Sequence, residues 1–66
     1  SLNFAKKHSF LIPHTEQKTV NLLFKLGKII EKDFLDEGVK ISALVNNQDM
    51  PYFQKFIIND AERGEE

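Results

Sequence analysis

The residues best placed to do chemistry lie in "KDFLDEGVK", residues 32–40, where Asp33, Asp36 and Glu37 crowd around Gly38. Carboxylates at such spacing can form a metal loop or an acid/base pair. A calcium loop wants oxygen ligands at about every second position over roughly twelve residues, with a glycine in the middle. "DFLDEGVKISAL" supplies the three carboxylates, but hydrophobic residues fill the other ligand positions. A carboxylate pair needs a cleft, which a small one-sheet domain hardly provides. The cluster therefore reads as a hairpin, with Asp33 on the strand and Asp36–Glu37 in the turn. His8 and His14 flank the first apolar stretch and have no His or Cys at ligand spacing, so they read as surface or strand-end residues. The three glycines, at 27, 38 and 64, are isolated, so no phosphate-cradling loop is present. No catalytic, cofactor-binding or metal-ligating residue is assigned.

Lys18 and Lys25 lie seven apart, two turns along the exposed side of a predicted helix, and Lys28 and Lys32 follow. Such a stripe can meet phosphates, and it can equally be a solvated helix face. The third predicted strand has no aromatic on which a base would stack, which argues against an RNA-recognition-motif type of binder.

The elements that position these residues follow from patterning. "HSFLIP" (8–13) alternates as a strand, with Phe10 and Ile12 on one side and Ser9 and Leu11 on the other. Thr15 is the expected N-cap of a helix over "EQKTVNLLFKL" (16–26), and Gly27 the expected left-handed C′ residue. "KIIEKDFL" (28–35) reads as an edge strand, with Ile30, Lys32 and Phe34 on one face and Ile29, Glu31, Asp33 and Leu35 on the other. A "DEG" turn with positive φ at Gly38 leads into the alternating strand "VKISALV" (39–45). "NNQDMPYFQKFIIND" (46–60) reads as a second helix, with Met50, Phe53, Phe56 and Ile57 as its apolar side.

The order β-α-β-β-α predicts an α+β domain: a three-stranded sheet with the third strand central and two helices on one face, a truncated ferredoxin-like unit. Residues 1–7 form a lead-in, 8–58 the folded core and 59–66 a polar tail. Phe10, Ile12, Ile30, Phe34, Ile41, Ala43 and Val45 are expected to face the helices. Leu11, Ile29 and Leu44 are expected on the opposite face, either as scattered apolar surface or as a docking patch.

Totals set the outer limits. Sixty-six residues allow one small domain with a modest core. There is no cysteine, which argues against a disulfide-built domain or a thiolate zinc site, and cytoplasm is the expected compartment. Hydrophobic residues make up 41% of the chain, as suits a folded domain. A formal net charge of −1 gives no overall drive toward nucleic acid or anionic membrane, and no sequence-specific DNA binding is expected. Apolar runs are too short to span a bilayer.

One family resemblance emerges from these positions. Ile12-Pro13-His14, Leu22-Leu23, Gly27, Ile30-Glu31, Phe34, Gly38-Val39, Ile41, Ala43 and Phe53 resemble the C-terminal domain of HflX-type ribosome-associated GTPases. His14 stands where that pattern has tyrosine, and the likeness covers about residues 9–56. The resemblance implies a piece of a longer GTPase. GTP and magnesium would belong to the parent protein and not to this piece. The GTPase domain of the parent chain and the large ribosomal subunit would be its partners. It implies an accessory, non-catalytic role, with Leu11, Ile29, Leu44, Lys18 and Lys25 as the contact candidates. The alternative is a free-standing ferredoxin-like interaction or regulatory module without enzymatic activity.

Overall fold

A computed structural model describes residues 5–58. The chain forms β1 (Lys6–Ile12), α1 (Gln17–Leu26), β2 (Lys28–Phe34) and β3 (Val39–Val45), followed by 3₁₀ segments at Asn47–Tyr52 and Gln54–Phe56. The sheet order is β1-β3-β2, with β3 antiparallel to both neighbours. The central position expected for the third strand is correct, and the class is α+β. The first strand begins at Lys6, so part of the expected lead-in is strand. The polar tail, 59–66, lies outside the described residues.

The core is Phe10, Ile12, Val20, Leu23, Val39, Ile41, Ala43, Val45 and Phe53, all buried. The alternation of β3 explains its share: every second residue from Val39 to Val45 is buried and those between are not. In α1 only Val20 and Leu23 are fully buried. Leu22 and Leu26 pack at the core's margin, and Phe24 is 40% exposed.

The second helix is not α-helical. Asp49 N–H donates to the Asn46 carbonyl, Phe53 N–H to Met50 and Phe56 N–H to Phe53, each an i to i+3 bond. The apolar residues Met50, Phe53 and Phe56 recur at intervals of three, and in a 3₁₀ turn residues three apart eclipse. Phe53 is thereby buried, with Met50 and Phe56 packed beside it. Its ring meets Phe10 edge-on, centroids 5.9 Å apart. Pro51 lies inside this segment and has no N–H to give a continuing α-helix. The chain then joins the sheet briefly: Ile57 bridges Phe10, and Ile58 N–H donates to the Ser9 carbonyl at 2.9 Å.

Helix entry also departs from expectation. Thr15 does not cap α1. Glu16 N–H instead donates to the Pro13 carbonyl at 2.9 Å, closing a turn, and the Glu16 carbonyl accepts from Thr19 and Val20. Both expected left-handed glycines are absent, since no glycine among the described residues has positive φ. Gly27 is extended (φ −102°, ψ 169°). Each glycine is needed for space. A Cβ at Gly27 would sit 3.1 Å from the Leu23 carbonyl oxygen and 3.2 Å from that of Leu44. A Cβ at Gly38 would sit 2.4 Å from the Ile12 carbonyl oxygen.

Candidate interaction surface

A one-residue irregularity decides which side chains β2 shows. Ile29 pairs with Ala43, and Glu31 pairs with Ser42. Along this step β2 advances two residues and β3 one, so Ile30 is the extra residue of a β-bulge. Opposed residues of antiparallel strands share a face, so Ile29 stands on the face of buried Ala43 and packs at the core. The expectation that Ile29 lies on the opposite face is corrected: the bulge exchanges its place with that of Ile30. Past the bulge, Lys32 and Phe34 oppose Ile41 and Val39 and regain the helix-side face. Phe34 is nevertheless 68% exposed and Ile30 50% exposed, so neither joins the core as alternation predicted.

α1 and the outer strand β2 leave three large apolar side chains exposed, Phe24 and Phe34 on the helix side and Ile30 at the bulge. Lys32 Nζ lies 5.4 Å from the centroid of the Phe24 ring, linking helix and strand there. β2 pairs with β3 on one side only, so its other edge carries no partner among the described residues.

The open face of the sheet is polar and ordered in rows. At one end Lys7, Leu44 and Lys28 lie side by side across β1, β3 and β2. In the middle come Ser9, Ser42 and Glu31, with the two hydroxyl oxygens 3.2 Å apart. At the far end are Leu11, Lys40 and Asp33. Leu11 opposes Lys40, four residues from Leu44 along β3, so the two leucines are separated by about 13 Å. They are half-buried and form no continuous patch. A shallow depression on this face is lined by Glu31, Asp33, Lys40 and Ser42.

The acidic stretch divides as alternation predicts. Asp33 lies on β2 opposite Lys40. Asp36 and Glu37 are the two loop residues of a hairpin closed by Leu35 and Gly38, each donating its N–H to the other's carbonyl, at 2.8 and 3.3 Å. Among the described residues no three His, Asp or Glu side chains converge as a metal would require. His14 has a partner that sequence did not show. Its Nε2 lies 2.7 Å from the Leu35 carbonyl oxygen, tying the β1–α1 turn to the hairpin. A carbonyl only accepts, so Nε2 carries the proton. Lys18 and Lys25 are exposed on α1, but the stripe does not continue: Lys28 is on the open face and Lys32 on the helix side.

Gly27 lies against the backbone of Leu23 and Leu44, and Gly38 against that of Ile12.

Comparison with known proteins gives one relative of note. The chain is 35% identical over 51 residues to "GTPase HflX" of Caldanaerobacter subterraneus subsp. tengcongensis, a match covering 77% of this chain and 12% of that protein. No family model matches the chain. No solved structure matches it.

Proposed function

We propose that this chain is an HflX-related accessory domain, non-catalytic in itself, of a cytoplasmic GTP-binding protein that associates with the large ribosomal subunit. The observation that supports the reading is the 35% identity to a GTPase over 77% of the chain. The match spans 12% of the relative, so most of that GTPase lies beyond it. The domain takes the C-terminal place, and its β1-α1-β2-β3 order is an incomplete ferredoxin-like unit with a 3₁₀ stretch in place of the second helix. GTP and magnesium are held by the parent's GTP-binding domain. That domain covers Phe24, Ile30 and Phe34, whose side chains would otherwise leave apolar surface in water. Lys18, Lys25, Leu11 and Leu44 are left to face the ribosome, and Ile29 belongs to the core.

The test is made on the intact polypeptide. Ile30→Ser with Phe34→Ser should loosen the domain from its neighbour and change GTP turnover, while the isolated 66-residue chain binds no GTP. Unchanged turnover in the double variant, or micromolar GTP binding by the isolated chain, contradicts the reading.

A further inference from the structure

The chain is delivered to the outer edge of β1 by its last described residues. Ile57 bridges Phe10, and Ile58 N–H donates to the Ser9 carbonyl at 2.9 Å. The bridge is antiparallel, so each step forward from Ile57 is one step back along β1. Opposed residues of antiparallel strands share a face. Ile57 therefore stands on the core side with Phe10, and Ile58 on the open face with Ser9. From Ser9 back to its start β1 has three more residues, Lys6, Lys7 and His8, whose outer edge has no strand partner among the described residues. Ser9 turns its carbonyl to that edge. Backbone groups alternate in direction along a strand, so Lys7 turns its N–H and carbonyl there too.

This end of the sheet carries a lysine rim. Lys6 and Lys7 open β1, Lys28 opens β2, and both Lys7 and Lys28 pair with Leu44 near the end of β3. Residues 5–58 carry eight lysines against six carboxylates, a net charge of +2, and residues 59–66 carry one arginine against four carboxylates, a net charge of −3. Continuing the register of the bridge sets Asn59 opposite His8, Asp60 opposite Lys7, Ala61 opposite Lys6 and Glu62 opposite Ala5. Asp60 then falls on the face of Lys7, and Glu62 takes the diagonal place beside it, within reach of a long side chain. β1 itself holds no carboxylate to repel either.

We propose that residues 59–62 dock on the outer edge of β1 as a fourth, antiparallel strand, with Asp60 opposite Lys7, so that the chain closes this edge of its own sheet. Two observations select this occupant. The chain already enters the edge in register at Ile57 and Ile58. The segment that follows carries the charge opposite to that of the lysines it passes. In this register Lys7 and Asp60 form a hydrogen-bonded pair, Asp60 N–H donating to the Lys7 carbonyl and Lys7 N–H to that of Asp60, while His8 and Asn59 form the closer, non-hydrogen-bonded pair. An open strand edge is a template for pairing with other chains. With β1 occupied by its own chain, β2 is the edge that the sheet presents to a neighbour.

The experiment measures amide hydrogen exchange and nuclear Overhauser effects by NMR on the 66-residue chain. The Lys7 amide should be protected about tenfold or more relative to Asp60→Pro, which removes the N–H that bonds the Lys7 carbonyl. An Hα–Hα Overhauser contact should join His8 and Asn59. Asp60→Lys should lower the protection of Lys7 by about two- to fivefold, as for an exposed pair of opposite charges, and Lys7→Glu combined with Asp60→Lys should restore it. Unchanged protection of the β3 amides shows that the variants fold. Equal protection of Lys7 in the 66-residue chain and in Asp60→Pro, or no contact between His8 and Asn59, overturns the proposal. Protection that rises with chain concentration overturns it as well, because the occupant is then a second copy.

Discussion

At the scale of single residues, two glycines have a role that their sequence context misidentifies. A glycine after a helix and a glycine closing a tight hairpin both invite a left-handed reading. Here neither has positive φ, and both are small because another strand's or helix's backbone lies against them. The distances rank the two. At Gly38 a Cβ would stand 2.4 Å from a carbonyl oxygen, which only backbone movement can relieve. At Gly27 the contacts of 3.1 to 3.2 Å need a shift of a few tenths of an ångström. Gly38→Ala should therefore cost about 2–4 kcal/mol of stability and Gly27→Ala about 1 kcal/mol or less. Urea unfolding of both variants checks the order, and equal losses would return the argument to conformational freedom. The His14–Leu35 hydrogen bond is exposed. Its removal in His14→Ala should cost about 0.5–1 kcal/mol in the same measurement.

At the scale of elements, the bulge in β2 is the decisive local feature. It places Ile29 against the core and Ile30 outside it. Ile29→Ala should destabilise by about 1–2 kcal/mol, below a fully buried isoleucine because the site is half-buried, and Ile30→Ala by about 0.5 kcal/mol or less. Thermal melting of the pair checks this; the reverse order would mean strict alternation holds through β2. Phe53→Ala removes a fully buried ring and should cost about 3–5 kcal/mol.

The same elements show how far sequence could be read. β3 was legible because one face is buried along its whole length, so its alternation is clean. The strand order followed from β3's place after a tight hairpin. β2 was only half legible: an edge strand with mixed charges gives no signal of where one residue slips out of register. The 3₁₀ stretch was misread as a helix because Met50, Phe53, Phe56 and Ile57 satisfy both periods. The interaction surface was missed for the same reason as the bulge. Ile30 and Phe34 look like core residues until β2's register is known, and both are exposed.

At the scale of the whole molecule, three surfaces with different chemistry remain: an apolar flank at Phe24, Ile30 and Phe34, a lysine rim at the opposite end from the hairpin, and an acidic hairpin tip. We propose that a covalently linked GTP-binding domain covers the flank. No helix among the described residues is long and apolar enough to cross a membrane. The most direct test is amide hydrogen exchange across β2, whose outward N–H groups have no strand partner among the described residues. In the intact polypeptide, the outward amides of Lys28–Phe34 should exchange at least tenfold more slowly than in the isolated 66-residue chain, and the hairpin tip at Asp36–Glu37 should not change. Identical exchange across Lys28–Phe34 in the two would contradict the assignment of this flank to the GTP-binding domain.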